Sequence, residues 1–147
     1  MQPILSSGPY AGPLLVTVAY VVFWYCLLIG VQRKTKYRLH REYAARGAVF
    51  DRYFGQDPHM LAADRAVLNT QEQMVPFLAA LWMCALFVSP RVATVLGTAY
   101  IALRCFYPRL LGTRLANMQP KRVYFVTLPC YGIVFYMLGA TVWAVLR

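Results

Sequence analysis

Four blocks of apolar residues, each near the roughly 20 residues that cross a hydrocarbon core, divide this chain at about 11–31, 64–88, 92–111 and 123–146. The last block has no charge from Val123 to Leu146 and is apolar around its whole circumference, where a helix of a soluble bundle keeps a polar outer face. The pattern predicts an all-α, integral membrane four-helix bundle, one domain over residues 1–147, with lipid as its outer solvent. Residues 32–63 are polar, hold Gly47, Gly55 and Pro58, and read as a broken, partly helical loop. The first block lacks a basic leader and is too long for a signal-peptide core, so it reads as a retained helix.

The second block breaks its own rule at the head. Arg65, Asn69 and Glu72 are spaced i, i+4, i+7, which puts a cation, an amide and an acid on one helical face just before the apolar run from Met74 to Val88. An ionisable group at membrane depth costs at least a few kcal/mol, so the stripe calls for a polar partner or a polar ligand. In the third block Tyr100, Arg104, Tyr107 and Leu111 share a face in the same way. Tyr100 reads as packing. Arg104 needs a carboxylate, and by depth Glu72 is its nearest candidate. A structural salt bridge from Glu72 to Arg104 or Arg65 is the plain alternative to a ligand site, but it leaves Asn69 on the same stripe unexplained.

Composition agrees with a membrane chain: 60% of residues are hydrophobic and 14% charged. The formal net charge of +10 raises the question of a nucleic-acid partner. Seven Lys or Arg residues lie between Arg33 and Arg52, however, and Arg109, Arg114, Lys121 and Arg122 bracket the last connection. Such clusters are explained by the positive-inside rule and by attraction to anionic headgroups, with no nucleic acid. They orient both basic connections to the cytoplasm and place the termini and the Ser89-Pro90 turn on the other side. Cys26, Cys84, Cys105 and Cys130 fall one per span, without metal-ligand spacing, and His40 and His59 have no metal-binding neighbours, so no metal is expected.

Several arginines, one Glu, one Asn and a Tyr hydroxyl, bordered by lipid, suit a ligand with carboxylates and an amine. Glutathione, with two carboxylates, one amine and one thiol, is one candidate among several anionic metabolites. A cationic neighbour would favour its thiolate, which is the nucleophilic form.

The run Asp64-Arg65-Ala66-Val67-Leu68-Asn69-Thr70-Gln71-Glu72, followed by Val75-Pro76-Phe77-Leu78-Ala79-Ala80-Leu81-Trp82, resembles the signature of the MAPEG family, the membrane-associated proteins in eicosanoid and glutathione metabolism. The resemblance implies a homotrimer with glutathione bound between subunits near the cytoplasmic face. Carried onto this chain, it assigns glutathione binding to Arg65, Asn69, Glu72, Arg104 and Tyr107, and the thiolate-stabilising role near the start of the last helix to Arg122, with Lys121 or Arg114 as alternatives. Leu111 and Gln73 stand where leukotriene-forming relatives have tyrosines. The implied activity is a microsomal-type glutathione transferase acting on lipophilic electrophiles, with glutathione-dependent peroxide reduction as a second activity. Two other readings are a non-catalytic family member that presents a lipid to a partner, as the lipoxygenase-activating protein does, and a small ion or proton carrier using Glu72 and Arg104.

Overall fold

The computed structural model describes residues 8–111 and 120–147, except for the side chains of 120–122. Among the described residues the chain is entirely helical outside its turns. Helix α1 (Ala11–Leu27) passes through a π-helical stretch at Leu28–Arg33 into α2 (Lys34–Ala45), giving one continuous helix of 35 residues. Helices α3 (Pro58–Phe87), α4 (Pro90–Leu111) and α5 (Pro120–Leu146) complete the bundle. The first rod is longer than the apolar pattern predicts, because helix formation carries on past the end of the apolar block at Val31 into the basic segment. The wider π spacing falls where the chain changes from apolar to charged.

Helix α2 stops at Gly47, whose φ of 70° lets the chain turn back while the Gly47 and Ala48 amides bond to the Ala44 and Tyr43 carbonyls. Helix α3 begins at Pro58 and not near residue 64, for a local reason. Proline suits a first helical position, and the Asp57 carboxylate accepts bonds from the amides of His59 (2.9 Å) and Met60 (3.1 Å). Between these helices Asp51 accepts from the amides of Tyr53 and Phe54, which hold its carboxyl below the usual range. Tyr43 donates to Asp57 at 3.0 Å; this bond and the nearby charge raise its phenol above its ordinary value. Asp64 is clasped by Arg52 through two bonds of 2.9 Å and by Gln32 at 2.8 Å, tying the loop and the π stretch to α3. A two-pronged arginine–carboxylate pair of this kind fixes geometry as well as charge.

The core runs along the middle of the bundle. Phe77 and Tyr100 stack with centroids 4.0 Å apart, and Tyr20 packs on Phe77 at 5.0 Å, so α1, α3 and α4 meet on three rings. Trp82 donates to Thr17 at 3.1 Å, joining α3 to α1. The outer surface is apolar: Leu15, Phe125, Leu128 and Phe135 are all exposed. The 11–45 helix and Val123–Leu146 are each long and apolar enough to cross a membrane. An apolar exterior around a packed interior is what a lipid solvent selects.

Helices α1, α3 and α4 come close together at Gly97, where an added Cβ would lie 2.7 Å from Val16 Cγ1 and 2.8 Å from Leu81 Cδ1, both on buried side chains. Gly97→Val is expected to destabilise the bundle by about 1–3 kcal/mol through overpacking. Gly139→Ala, where the new Cβ meets nothing within 4 Å, should be neutral or mildly stabilising. Denaturation of the detergent-solubilised protein compares the two.

Candidate functional site

The polar stripe of α3 lies toward the end of the bundle where α2 and the connecting loop sit. Arg65 and Glu72 are exposed on the single chain, and Asn69 is half-buried between them. Beside them stand Leu68 and Val75, also exposed, so the stripe interrupts a lipid-like surface. Neither Arg65 nor Glu72 forms an ion pair among the described residues. The other four acids are engaged: Asp51 and Asp57 on backbone amides, Asp64 on Arg52, and Glu42 on Arg38 at 3.4 Å.

Arg104 departs from expectation. Its side chain is 1% exposed, and Nη2 donates to Asn69 Oδ1 at 2.9 Å and Thr70 Oγ1 at 3.4 Å, with the guanidinium 4.6 Å from the centroid of Tyr107. It does not pair with Glu72. Thr70 points inward, and Glu72, two residues on, lies about 200° further around the helix, out of reach of a guanidinium held on the inner side. Arg104 thus meets an amide, a hydroxyl and a ring face in place of a carboxylate, and its Nε is buried without a hydrogen-bond partner among the described residues.

Because a guanidinium only donates, Asn69 must turn its oxygen toward Arg104, leaving its Nδ2 hydrogens for something else. The network continues inward: Thr70 donates to the Ala66 carbonyl at 2.9 Å, and Tyr20 donates to the Thr70 carbonyl at 2.8 Å. Tyr107 is 4% exposed and packs its ring against the Arg104 guanidinium. Gln73 reaches Tyr131 of α5 at 3.5 Å. Two prolines add to the polarity. Pro76 has no N–H for the Glu72 carbonyl and Pro108 none for the Arg104 carbonyl, so each site residue also carries a main-chain acceptor without its helical partner.

Arg65, Asn69, Glu72, Arg104 and Tyr107 are therefore gathered at one end of the α3–α4 pair. Arg122 lies in the first turn of α5, but its side chain is outside the described residues, as is that of Lys121; Arg114 lies outside them altogether. Sequence reasoning missed Tyr20 and Thr70. Each is an ordinary residue in an apolar stretch, and only Thr70, next to Asn69, carried any hint. No group of three or more His, Cys, Asp or Glu residues able to hold a metal ion occurs among the described residues.

A helical membrane bundle whose apolar surface is opened at one end by a cation–amide–acid stripe defines the class. The MAPEG family model matches residues 10–143, nearly the whole chain, and the protein belongs to the MAPEG family. A search of curated proteins finds no match.

Proposed function

We propose that this protein is a multi-pass membrane glutathione transferase, which makes glutathione thiolate and directs it at lipophilic electrophiles arriving from the bilayer. The observation that carries this reading is the orientation of Asn69 by buried Arg104, between Arg65 and Glu72, neither of which forms an ion pair among the described residues. Arg65 and the Asn69 amide suit glutathione carboxylate and backbone carbonyl groups; Glu72 suits the ammonium. In the reaction the thiol loses its proton, the sulfur forms a bond to the electrophilic carbon, and the leaving group departs with its electron pair. Peroxide reduction at the same site would consume two glutathiones, giving the disulfide, an alcohol and water. Holding both reactants in a partly dry crevice supplies proximity.

The same stripe supports a homotrimer, the assembly MAPEG membership suggests. Charged groups on an otherwise lipid-facing surface require cover, and a neighbouring subunit placed over α3 would close a site between chains. The basic connections face the cytoplasm in this reading, with both termini opposite, in a bacterial inner membrane or the endoplasmic reticulum. Retention of five polar site residues weighs against a pure lipid scaffold, which has no use for a tripeptide pocket.

The test is conjugation of glutathione to chlorodinitrobenzene by purified protein. Activity is expected, together with thiolate absorbance of bound glutathione. Arg122→Ala should raise the thiol pKa and diminish that absorbance; an unchanged signal assigns the activating role to another residue. Absence of both conjugation and glutathione binding in the wild type overturns the reading in favour of the scaffold.

A further inference from the structure

A recess lies between α2, α3 and α4, on the inner side of α3, and neither Arg65 nor Glu72 lines it. Its volume is about 420 Å³. Its lining is of mixed character: Val31, Ala62 and Pro108 are apolar, while Arg38, Arg109, His59 and the Thr35 hydroxyl are polar or basic. Among the described residues no carboxylate lines it. Arg109 has no acid partner among the described residues, and the Arg38–Glu42 pair, 3.4 Å long and exposed on both sides, is of a kind readily exchanged for a better anion.

The position along the bundle sharpens the chemistry. Val31 is the last apolar residue of the first rod before Gln32-Arg33-Lys34, and Pro108 directly precedes Arg109 near the end of α4. The recess therefore straddles the boundary between hydrocarbon and headgroup depth. A free metabolite would need only its basic part, whereas an amphiphile with an anionic head and an acyl chain would use all of it. Basic recesses between membrane helices are suited to such headgroups.

We infer that this recess is a binding site for one anionic phospholipid per chain, its phosphate held by Arg38, Arg109 and Thr35 and its chain lying on Val31, Ala62 and Pro108. The occupant would wedge beside the π stretch, whose Gln32 is clasped to Asp64, and so brace the loop end of the bundle. The inference is independent of the glutathione reading.

Native mass spectrometry of the full chain, released from micelles containing equal amounts of dioleoyl-phosphatidylglycerol and dioleoyl-phosphatidylcholine, tests it. Wild type should retain the anionic lipid preferentially, with each guanidinium contributing about fivefold. The doubly substituted Arg38→Gln/Arg109→Gln protein should lose that preference, and Arg38→Lys/Arg109→Lys should regain most of it, which separates lost charge from lost fold. Arg91→Gln, at the other end of the bundle, should leave it intact. Equal retention of both lipids by wild type, an equal loss in Arg91→Gln, or displacement of the lipid by inorganic phosphate would each overturn the assignment.

Discussion

Arg104→Met is expected to leave the ligand-free protein as stable as wild type, or more stable by up to about 4 kcal/mol, because a buried charge with no counter-ion among the described residues is replaced by an apolar chain of similar length. Glutathione binding should nevertheless weaken roughly 10–150-fold, the worth of a charge-assisted hydrogen bond that orients the ligand-facing amide. The two effects have opposite signs for one reason. Arg104 is 1% exposed, has its Nε unsatisfied and meets no carboxylate among the described residues, so its desolvation is offset only by Asn69, Thr70 and the ring of Tyr107. A group held at such cost is explained by what it positions. Thermal unfolding with and without millimolar glutathione separates the terms: the variant should match or exceed wild type without ligand and lose the ligand-induced rise. A loss of more than about 2 kcal/mol in the ligand-free variant would show that Arg104 is a structural strut instead, as expected for breaking a buried polar network.

Glu72→Gln is the complementary case. The side chain is exposed and makes no ion pair among the described residues, so folding stability should change by no more than about 0.5 kcal/mol. Glutathione affinity, measured by calorimetric titration in detergent, should drop roughly 10–100-fold, because the amide keeps the shape of the carboxylate and loses the charge that attracts the ammonium. Arg65→Gln should fall by a comparable factor through the carboxylate end of the ligand. Glu42→Gln, which removes the exposed partner of Arg38, serves as the control and should bind as wild type does. Unchanged affinity in both Glu72→Gln and Arg65→Gln refutes the roles given to these residues, even if conjugating activity is found.

The site was legible to different depths. Arg65, Asn69 and Glu72 could be placed on one face because helical periodicity relates residues of the same rod without knowledge of any neighbour. The same periodicity placed Arg104 and Tyr107 together on α4. It could not say which side of α3 that pair would meet, and the Arg104–Glu72 bridge that stood as the alternative to a ligand site is not formed: Arg104 reaches the inner edge, at Asn69 and Thr70. Tyr20, 50 positions from Thr70 in sequence, had no pattern to reveal it. The helix ends differ for a related reason. Hydropathy registers where lipid-like residues stop, but α2 and the first turns of α3 are stabilised by backbone bonding, the Asp57 cap and the Arg52–Asp64 clasp, to which an apolar count is blind.

By itself the chain of residues determined that this is an all-helical membrane protein of the MAPEG family with a charged stripe at the head of its second apolar block, since apolar run length, helical period and local motif are properties of consecutive residues. Only the tertiary structure decided that Arg104 is buried against an amide and a ring, that Glu72 has no ion pair among the described residues on the outer face, and that a partly basic recess opens between α2, α3 and α4. Those outcomes depend on how each helix is rotated about its axis. That rotation is set by the packing of Tyr20, Phe77 and Tyr100 and by the close approach at Gly97, contacts between residues far apart in the chain.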